Sequence, residues 1–560
     1  MKEFNTTGIC FPDKHYMVDT SDRIRTIIAD LIEKNKYFTI NRARQYGKTT
    51  TISRLRAALK NDYYVIKISF EGLGDAAKSE RWFTQMFITE VKKQLAMSAI
   101  SKELLNAWSA PFIASDKDGF GESLIRLGER ITELCAGSDR ELILFIDEVD
   151  EISNNELFLS FLGMLRRKYL SASEGDDCTF KSVVLAGVYD IKNIQVKTRP
   201  NKEHQYNSPW YVPIRSANRG RRPALRRRRI KMAGSPYDIT ADFDVDMSFH
   251  TGEIETMLKE YRRDHGFDFD TAWFADQIYA YTSGYPFLVS RLCWLIDVKV
   301  SREPGFESKE AAWSQEGFQR AVKLILNEQN TLFDDLNKKL DSDEKLKDLV
   351  YRIVVCRENI PFNLNDNLVK FGTMFGWFKS LKGKTVISNR IFETIICDKL
   401  LQERTTSRIY KEGDLEKFQL KSSTELDMDK IIERFAAHYQ SIYADRTSDF
   451  LENEARMIFL TFLKPIINGS GNYYMESESF DKTRTDIVVD YGGHQYVIEA
   501  KIWHGESYEQ AGREQLCGYL KRYDLPVGWL ISFCFNKEKK KHIGTHEIQF
   551  DGKIIRETVV

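Results

Sequence analysis

Tyr37-Phe38-Thr39-Ile40-Asn41-Arg42-Ala43-Arg44-Gln45-Tyr46-Gly47-Lys48-Thr49-Thr50 carries an apolar, β-branched run into a short polar loop, and Gly47-Lys48-Thr49 then opens a helical pattern over 50–60. Strand, loop and helix in that order are what a phosphate-binding loop needs. Backbone N–H groups and the helix N-terminus face the phosphates, the lysine reaches the β/γ oxygens, and the threonine hydroxyl sits on Mg²⁺. The first glycine of a G-x-x-x-x-G-K-[ST] pattern would fall at position 42, where the chain has Arg42. A bare Gly-Lys-Thr recurs by chance in ordinary composition, so the reading depends on what surrounds it.

The deciding companion is Glu141-Leu142-Ile143-Leu144-Phe145-Ile146-Asp147-Glu148, a continuous apolar run ending in two carboxylates. A strand covered on both faces reads this way. P-loop ATPases hold Mg²⁺ partly through an Asp at the end of such a strand. The bland alternative is a core strand closed by a capping acid. A run of this kind following a Gly-Lys-Thr favours a site for ATP and Mg²⁺. In that reading Lys48 binds the β/γ phosphates, Thr49 and Asp147 hold Mg²⁺, and Glu148 positions the attacking water. Arg44, Gly47 and Thr50 complete the nucleotide contacts. A trans-acting arginine often assists phosphoryl transfer, and a homo-oligomer is a candidate partner. Arg166, Arg167 and Arg291 are unranked candidates, each more simply read as a solvated or salt-bridged side chain.

Around the loop, the 3/4 spacing of Ile24, Ile27, Ile28, Leu31 and Ile32 predicts a helix over 19–35, with Asp19, Thr20 and Ser21 as caps. A strand is expected over 63–70, helices over 79–96, 123–134 and 156–170, and a second buried strand over 181–188. Alternating strands and helices imply an α/β domain with a mostly parallel sheet.

The pattern breaks at 211–236, which has eight Arg, one Lys and no acid. So basic a block cannot bury itself and reads as an exposed arm. It either grips nucleic-acid phosphates or is an insertion without a role. The region 251–340 is helical, with Ser283-Gly284-Tyr285-Pro286 as a joint between two helices. Over 341–402, helices and a short hairpin around Lys382-Gly383-Lys384 suggest a winged-helix-like module. Residues 403–425 read as a linker, and 426–560 as a last domain.

Composition agrees with several domains. The chain has 560 residues, 42% of them hydrophobic and 29% charged. Lys+Arg and Asp+Glu are 82 each, so net charge selects no partner. Eight scattered cysteines contain no C-x-x-C pair, which argues against a zinc site or a disulfide framework and fits a reducing compartment. No apolar stretch is long enough for a membrane span, and the N-terminus lacks an apolar leader core. The expectation is a cytoplasmic protein with no membrane partner.

A second constellation lies near the C-terminus. Thr485-Asp486-Ile487-Val488-Val489-Asp490-Tyr491, Gly492-Gly493, then His494-Gln495-Tyr496-Val497-Ile498-Glu499-Ala500-Lys501 read as a β-hairpin. Gly-Gly supplies the positive φ values of a two-residue turn. Paired residue numbers then sum to 985, so Asp486 lies opposite Glu499, with Cβ atoms about 4.5–5.5 Å apart. Lys501 projects from the same face as Glu499. Facing carboxylates repel unless a cation joins them, and Mg²⁺ accepts such oxygens. The alternative is a solvated cross-strand cluster. The arrangement resembles the PD-(D/E)xK phosphodiesterase core, as Asp486 with Glu499-Ala500-Lys501. A preceding helix, 449–463, carries Glu454 as a further metal ligand. A following helix has Gln510 and Gln515, and an apolar strand follows at 527–535.

Taken together, the chain resembles a bacterial family that joins an AAA-ATPase-like domain to a C-terminal PD-(D/E)xK nuclease-like domain. The stretches that carry this include 17–20, 41–50, 144–148, 187–190, 283–289, 386–393 and the terminal hairpin. The family's loop is Arg-Pro-Arg-Arg-Phe-Gly-Lys-Thr-like, which accounts for Arg42. Its usual passage runs from a Tyr-Asn-Ser-Pro-Trp-like segment straight into a sequence like 239–249, so 211–236 is an insertion against it. The resemblance implies a P-loop NTPase core over 1–250, a helical lid, the winged-helix-like module and a restriction-endonuclease-like α/β domain. The implied function is an ATPase coupled to a Mg²⁺-dependent nuclease acting on nucleic acid, DNA foremost, in defence or mobile-element biology. The alternative is a nucleotide-driven switch or scaffold whose last domain binds DNA or protein without cutting.

Overall fold

The computed structural model describes residues 2–72, 79–110, 123–149, 156–187, 195–197, 205–207, 240–241, 243, 245–356, 358–402, 411, 425–443, 452–467, 471–475, 487–503, 506–534 and 544–560. The basic block 211–236 lies outside these residues. The chain divides into two compact units: Thr7–Cys10 with Asp19–Met247, and Met1–Thr6 with Phe11–Val18 and Ser248–Val560.

The N-terminal unit is built on a five-stranded sheet of β1 (Tyr37–Asn41), β2 (Tyr64–Ser69), β3 (Leu142–Asp147), β4 (Ser182–Gly187) and β5 (Thr240–Ala241). The order is β2-β3-β4-β1-β5, with every pair parallel. All six residues of β3 and of β4 are buried. Along β3, Leu142, Leu144 and Ile146 enter one apolar core while Ile143 and Phe145 enter the other, the period-2 alternation of a sheet covered on both faces. The helices are α1 (Ser21–Ile27), α2 (Lys48–Leu59), α3 (Glu80–Leu95), α4 (Lys102–Ser109), α5 (Leu124–Gly137) and α6 (Glu156–Glu174). The Ser79 and Ser123 side chains cap α3 and α5 by accepting from the Trp82 and Arg126 N–H groups, which is why those helices begin where they do. A parallel sheet flanked by helices, with the loop before α2, fits the P-loop arrangement.

One polar network pins α6 to α5. Lys168, 6% exposed, donates to both Asp177 oxygens (3.0 and 2.8 Å) and to the Thr132 hydroxyl (2.6 Å), which itself donates to Asp177 (2.7 Å). Burial alone would raise the Asp177 carboxyl; the Lys168 ammonium and the Thr132 hydroxyl outweigh it and hold the group below the usual carboxylate range. Lys168→Met is expected to destabilise this unit by about 2 kcal/mol, read as a lower denaturation midpoint. Because the folded pKa is the lower one, Asp177's contribution is present above the unfolded value of about 3.9 and fades as pH falls through the folded value. The difference between wild type and variant therefore shrinks in acid, and a constant difference down to low pH would contradict this assignment.

The second unit begins with helices α7 (Thr251–His265), α8 (Thr271–Thr282), α9 (Pro286–Trp294), α10 (Gln315–Leu326) and α11 (Thr331–Ser342). The predicted joint between α8 and α9 is real. Ser283 and Gly284 have φ of +47° and +71°, Pro286 is the first helical residue, and a Cβ on Gly284 would collide with the Phe249 carbonyl oxygen. Next come α12 (Glu344–Val354), α13 (Asn367–Met374), a hairpin of β6 (Phe378–Leu381) and β7 (Lys384–Ile387), and α14 (Arg390–Gln402). Lys382 and Gly383 form its turn, both at positive φ.

The unit ends in α15 (Met428–Tyr443), α16 (Glu452–Ile467), β8 (Gly471–Tyr474), β9 (Ile487–Tyr491), β10 (His494–Ile502), α17 (Glu506–Arg522), β11 (Val527–Phe533), β12 (Gly544–Phe550) and β13 (Lys553–Val559). The sheet order is β8-β9-β10-β11-β13-β12, antiparallel from β8 to β10, parallel from β10 through β11 to β13, and antiparallel at β12. Helix α17 lies on the Glu499/Leu530 face: a Cβ on Gly512 would touch Leu530 and Lys501 at 3.5 Å, and Arg513 pairs with Glu557 at 2.7 Å. Phe435 and Tyr439 of α15 meet Phe533 on the opposite face. All eight cysteines are free. Among the described residues no helix is long and apolar enough to cross a membrane.

Candidate functional site

The loop that leads into α2 has phosphate-loop geometry. Gly47 precedes the helix in the left-handed region at φ +79°, and nothing lies within 4 Å of where its Cβ would be. Conformation rather than space therefore requires glycine there. Lys48 is the first helical residue and only 8% exposed; its ammonium donates to the Arg42 and Ala43 carbonyls, both at 3.0 Å. The loop thus wraps around its own lysine at the positive end of α2. Thr49 is half-buried and Arg44 is exposed. The Thr50 hydroxyl accepts from the Cys10 N–H at 3.3 Å, tying α2 to the N-terminal segment.

Arg42 shows why a glycine is dispensable at the first loop position. Its guanidinium leaves the loop, donates to the Phe243 and Val245 carbonyls (3.1 and 2.9 Å), and lies 5.2 Å from the Phe243 ring centre. The arginine anchors the start of the loop to the segment that follows β5.

Asp147 ends β3 and is 3% exposed. One carboxylate oxygen lies 3.3 Å from the Lys67 ammonium of β2, and the other accepts from the Glu148 N–H at 3.1 Å. Glu148 has φ +53°, a conformation that costs a non-glycine residue about 1 kcal/mol and that turns the chain at the end of the strand. Strand β4 lies between β1 and β3, so the loop and Asp147 share the carboxyl edge of the sheet, about 10 Å apart at two inter-strand spacings. Lys67 was missed by sequence reasoning. Only the β2–β3 register brings it beside Asp147: Lys67 is paired with Phe145, two residues before Asp147 on the same face.

Of the three arginines considered for trans action, Arg166 is half-buried and Arg167 exposed on α6. Arg291, on α9, forks onto the Glu328 carboxylate and stacks 4.2 Å from the Trp294 ring centre, so its charge already has a partner.

At the C-terminal hairpin the register is the expected one. Ile487 pairs with Ile498 and Tyr491 with His494, and Gly492 and Gly493 take φ of +56° and +83°. Glu499 is fully buried, with one oxygen 3.1 Å from the Lys501 ammonium, whose side chain is 22% exposed. Asp486 lies outside the described residues, as does the side chain of Glu454, whose backbone belongs to α16. Gln510 is exposed and donates to Glu514 at 3.0 Å, and Gln515 is half-buried. Among the described residues no three His, Cys, Asp or Glu side chains gather as a metal site.

The other end of the same hairpin face holds groups that sequence reasoning did not single out. Asp490 is 7% exposed, accepting from the Tyr281 hydroxyl of α8 (2.6 Å) and from the Gln495 amide (2.9 Å). Burial, partly offset by those two donors, by the Arg390 charge and by Gln319, holds its carboxyl above the usual range.

No protein-family model and no curated protein sequence matches the chain. Among solved structures, it is similar to the Walker-type ATPase of Pyrococcus abyssi, at 14% identity and a TM-score of 0.41, over 70% of this chain and 99% of that one. It is also similar to the Aeropyrum pernix ORC1 protein in complex with DNA (12% identity, TM-score 0.27, 69% and 94% covered). The ORC2 protein of the same organism, in ADPNP-ADP complexes, gives 11% identity and a TM-score of 0.34, with 71% and 98% covered. At TM-scores this low the fold rests on the strand order and the loop geometry, not on the likeness.

Proposed function

We propose that the N-terminal unit binds and hydrolyses ATP, and that residues 426–560 form a PD-(D/E)xK-like phosphodiesterase domain acting on nucleic acid, DNA foremost. The observation that carries the first part is Lys48, held by two loop carbonyls at the start of α2, on the sheet edge where Asp147 ends β3. Lys48 binds the β/γ phosphates, the Arg44–Thr50 loop surrounds them with N–H donors, and Glu148 orients water. The Thr49 hydroxyl and the Asp147 carboxylate are hard oxygen donors of the kind Mg²⁺ takes. Bound there, it would neutralise charge on the transferred phosphoryl group. Lys67 balances the Asp147 charge from the neighbouring strand.

For the second part, the support is the hairpin register and the buried Glu499 beside Lys501. Glu499 with Asp486 and Glu454 would supply the carboxylates for Mg²⁺, and Lys501 would orient the attacking water. The helical region 251–340 serves as a lid, and 341–402 is a winged-helix-like module that favours DNA as the substrate; 403–425 links it to the last domain. A second reading is favoured by Glu499 being fully buried and already paired. In that reading the domain binds DNA or a protein without cutting, and ATP drives a switch. The test is to incubate the full chain with ATP, Mg²⁺ or Mn²⁺ and single- or double-stranded DNA, following phosphate release and fragment length together. Phosphate release with no fragments on any substrate selects the second reading, and release of neither removes both.

A further inference from the structure

The second unit contains a cavity of about 430 Å³ between its helical region and the turn end of the β9–β10 hairpin. That is within the usual size range of small-molecule sites. Trp273, Tyr496, Tyr523 and Trp529 supply aromatic wall, and Glu425 and Asp490 supply carboxylates. Amides from Gln277, Gln315, Gln319 and Gln495 fill much of the rest, with His494 exposed at the rim. No lysine or arginine is among the described residues that line it.

Part of this wall is held rigid. The Trp529 indole donates to Asp429 at 2.8 Å, the Tyr496 hydroxyl accepts from the Leu426 N–H at 2.9 Å, and the two rings lie 5.8 Å apart. Asp490 sits in the wall with its charge met by three neutral donors, Tyr281, Gln495 and Gln319. The nearby cation Arg390, stacked on Tyr474 at 4.1 Å and on Tyr281 at 5.5 Å, favours the Asp490 charge, yet burial still holds the carboxyl above its usual range. A buried carboxylate whose charge is only partly compensated is costly, and a cation arriving in the cavity would offset that cost.

The chemistry of the wall selects a ligand by charge. Two carboxylates disfavour phosphate and other anions. Aromatic faces attract cations, carboxylates accept guanidinium or ammonium N–H groups, and amide oxygens accept the remaining donors. We propose that this cavity binds a small organic cation carrying a guanidinium or amine group. This site is separate from the phosphate loop and from the Glu499–Lys501 pair, and it stands whether or not those perform the proposed reactions.

Isothermal titration of the full chain with agmatine, spermidine, a blocked arginine amide and, as a neutral planar control, adenosine tests this. At least one of the cations is expected to bind, with adenosine at least roughly tenfold weaker. Preference for agmatine or spermidine reports guanidinium or amine, and preference for the blocked arginine points to a peptide side chain as the source. Glu425→Gln and Asp490→Asn are each expected to weaken cation binding by roughly ten- to a hundredfold, the range for a hydrogen bond to a charged group. Glu425 is half-buried at the wall, so its variant decides the matter even where Asp490→Asn fails to fold by circular dichroism. No binding of any cation, adenosine binding as tightly as the cations, or cation affinity unchanged in Glu425→Gln would overturn the proposal.

Discussion

In Lys48→Ala, ATP turnover is expected to fall by roughly 10²–10³-fold, the cost of removing one preorganised charge from a phosphoryl-transfer site. Lys48 is buried except for 8% of its surface, and its ammonium sits between the Arg42 and Ala43 carbonyls at 3.0 Å each. Loop carbonyls orient that charge, so little reorganisation is needed when phosphate oxygens approach. The structural cost of the substitution is smaller. Two carbonyls lose a donor, one of them at buried Ala43, which corresponds to about 1–2 kcal/mol or a few degrees of melting temperature in a unit of this size. The two readouts therefore separate: nucleotide binding and turnover collapse while the melt shifts by only a few degrees. Turnover preserved in Lys48→Ala, measured as phosphate release at saturating ATP, would remove the phosphate-loop reading altogether.

What was legible in the sequence, and what was not, follows from the range of each signal. The strands at 142–147 and 182–187 were readable because burial on both faces leaves a continuous apolar run, and those at 37–41 and 64–69 because apolar and β-branched residues dominate them. The starts of α3 and α5 were readable because Ser79 and Ser123 cap locally. The β9–β10 register was readable because Gly492-Gly493 leaves only one way to turn. Arg42 was readable only as a departure from a pattern. Its partners, the Phe243 and Val245 carbonyls, are about two hundred residues away and show nothing in a linear motif. Lys67 beside Asp147, and Tyr281 beside Asp490, were hidden for the same reason: each pair is made by strand order or helix docking. The strand order β2-β3-β4-β1 itself is invisible to periodicity, and it is what sets the loop and Asp147 on one edge. The division of the chain carries the same lesson, since Phe11–Val18 groups with the C-terminal unit although the sequence runs on into α1.

Glu499→Ala is expected to abolish Mg²⁺- or Mn²⁺-dependent DNA cleavage, by roughly 10²-fold or more, while leaving ATP turnover within about twofold. Glu499 is fully buried at the centre of β10, with Leu530 of β11 as its registered neighbour, and its charge is answered by Lys501 at 3.1 Å. A carboxylate buried to that degree is expensive unless paired, so an ordinary sheet would place an apolar residue there. Removing it leaves Lys501 with a side chain 22% exposed, enough for water to solvate the ammonium, so the sheet should survive the change. If Glu499 instead serves only to pair Lys501, the variant alters stability and changes neither turnover nor DNA handling. Glu499→Gln divides the cases further, because the amide keeps the shape and loses the charge. A metal-dependent site fails in both variants, whereas a packing role is largely rescued by Gln. Cleavage that persists in both Lys48→Ala and Glu499→Ala would mean that neither constellation performs the reaction assigned to it. Turnover of ATP without fragments from any substrate, in wild type as well as in Glu499→Ala, would instead leave the hairpin as a binding surface governed by the nucleotide state of the first unit.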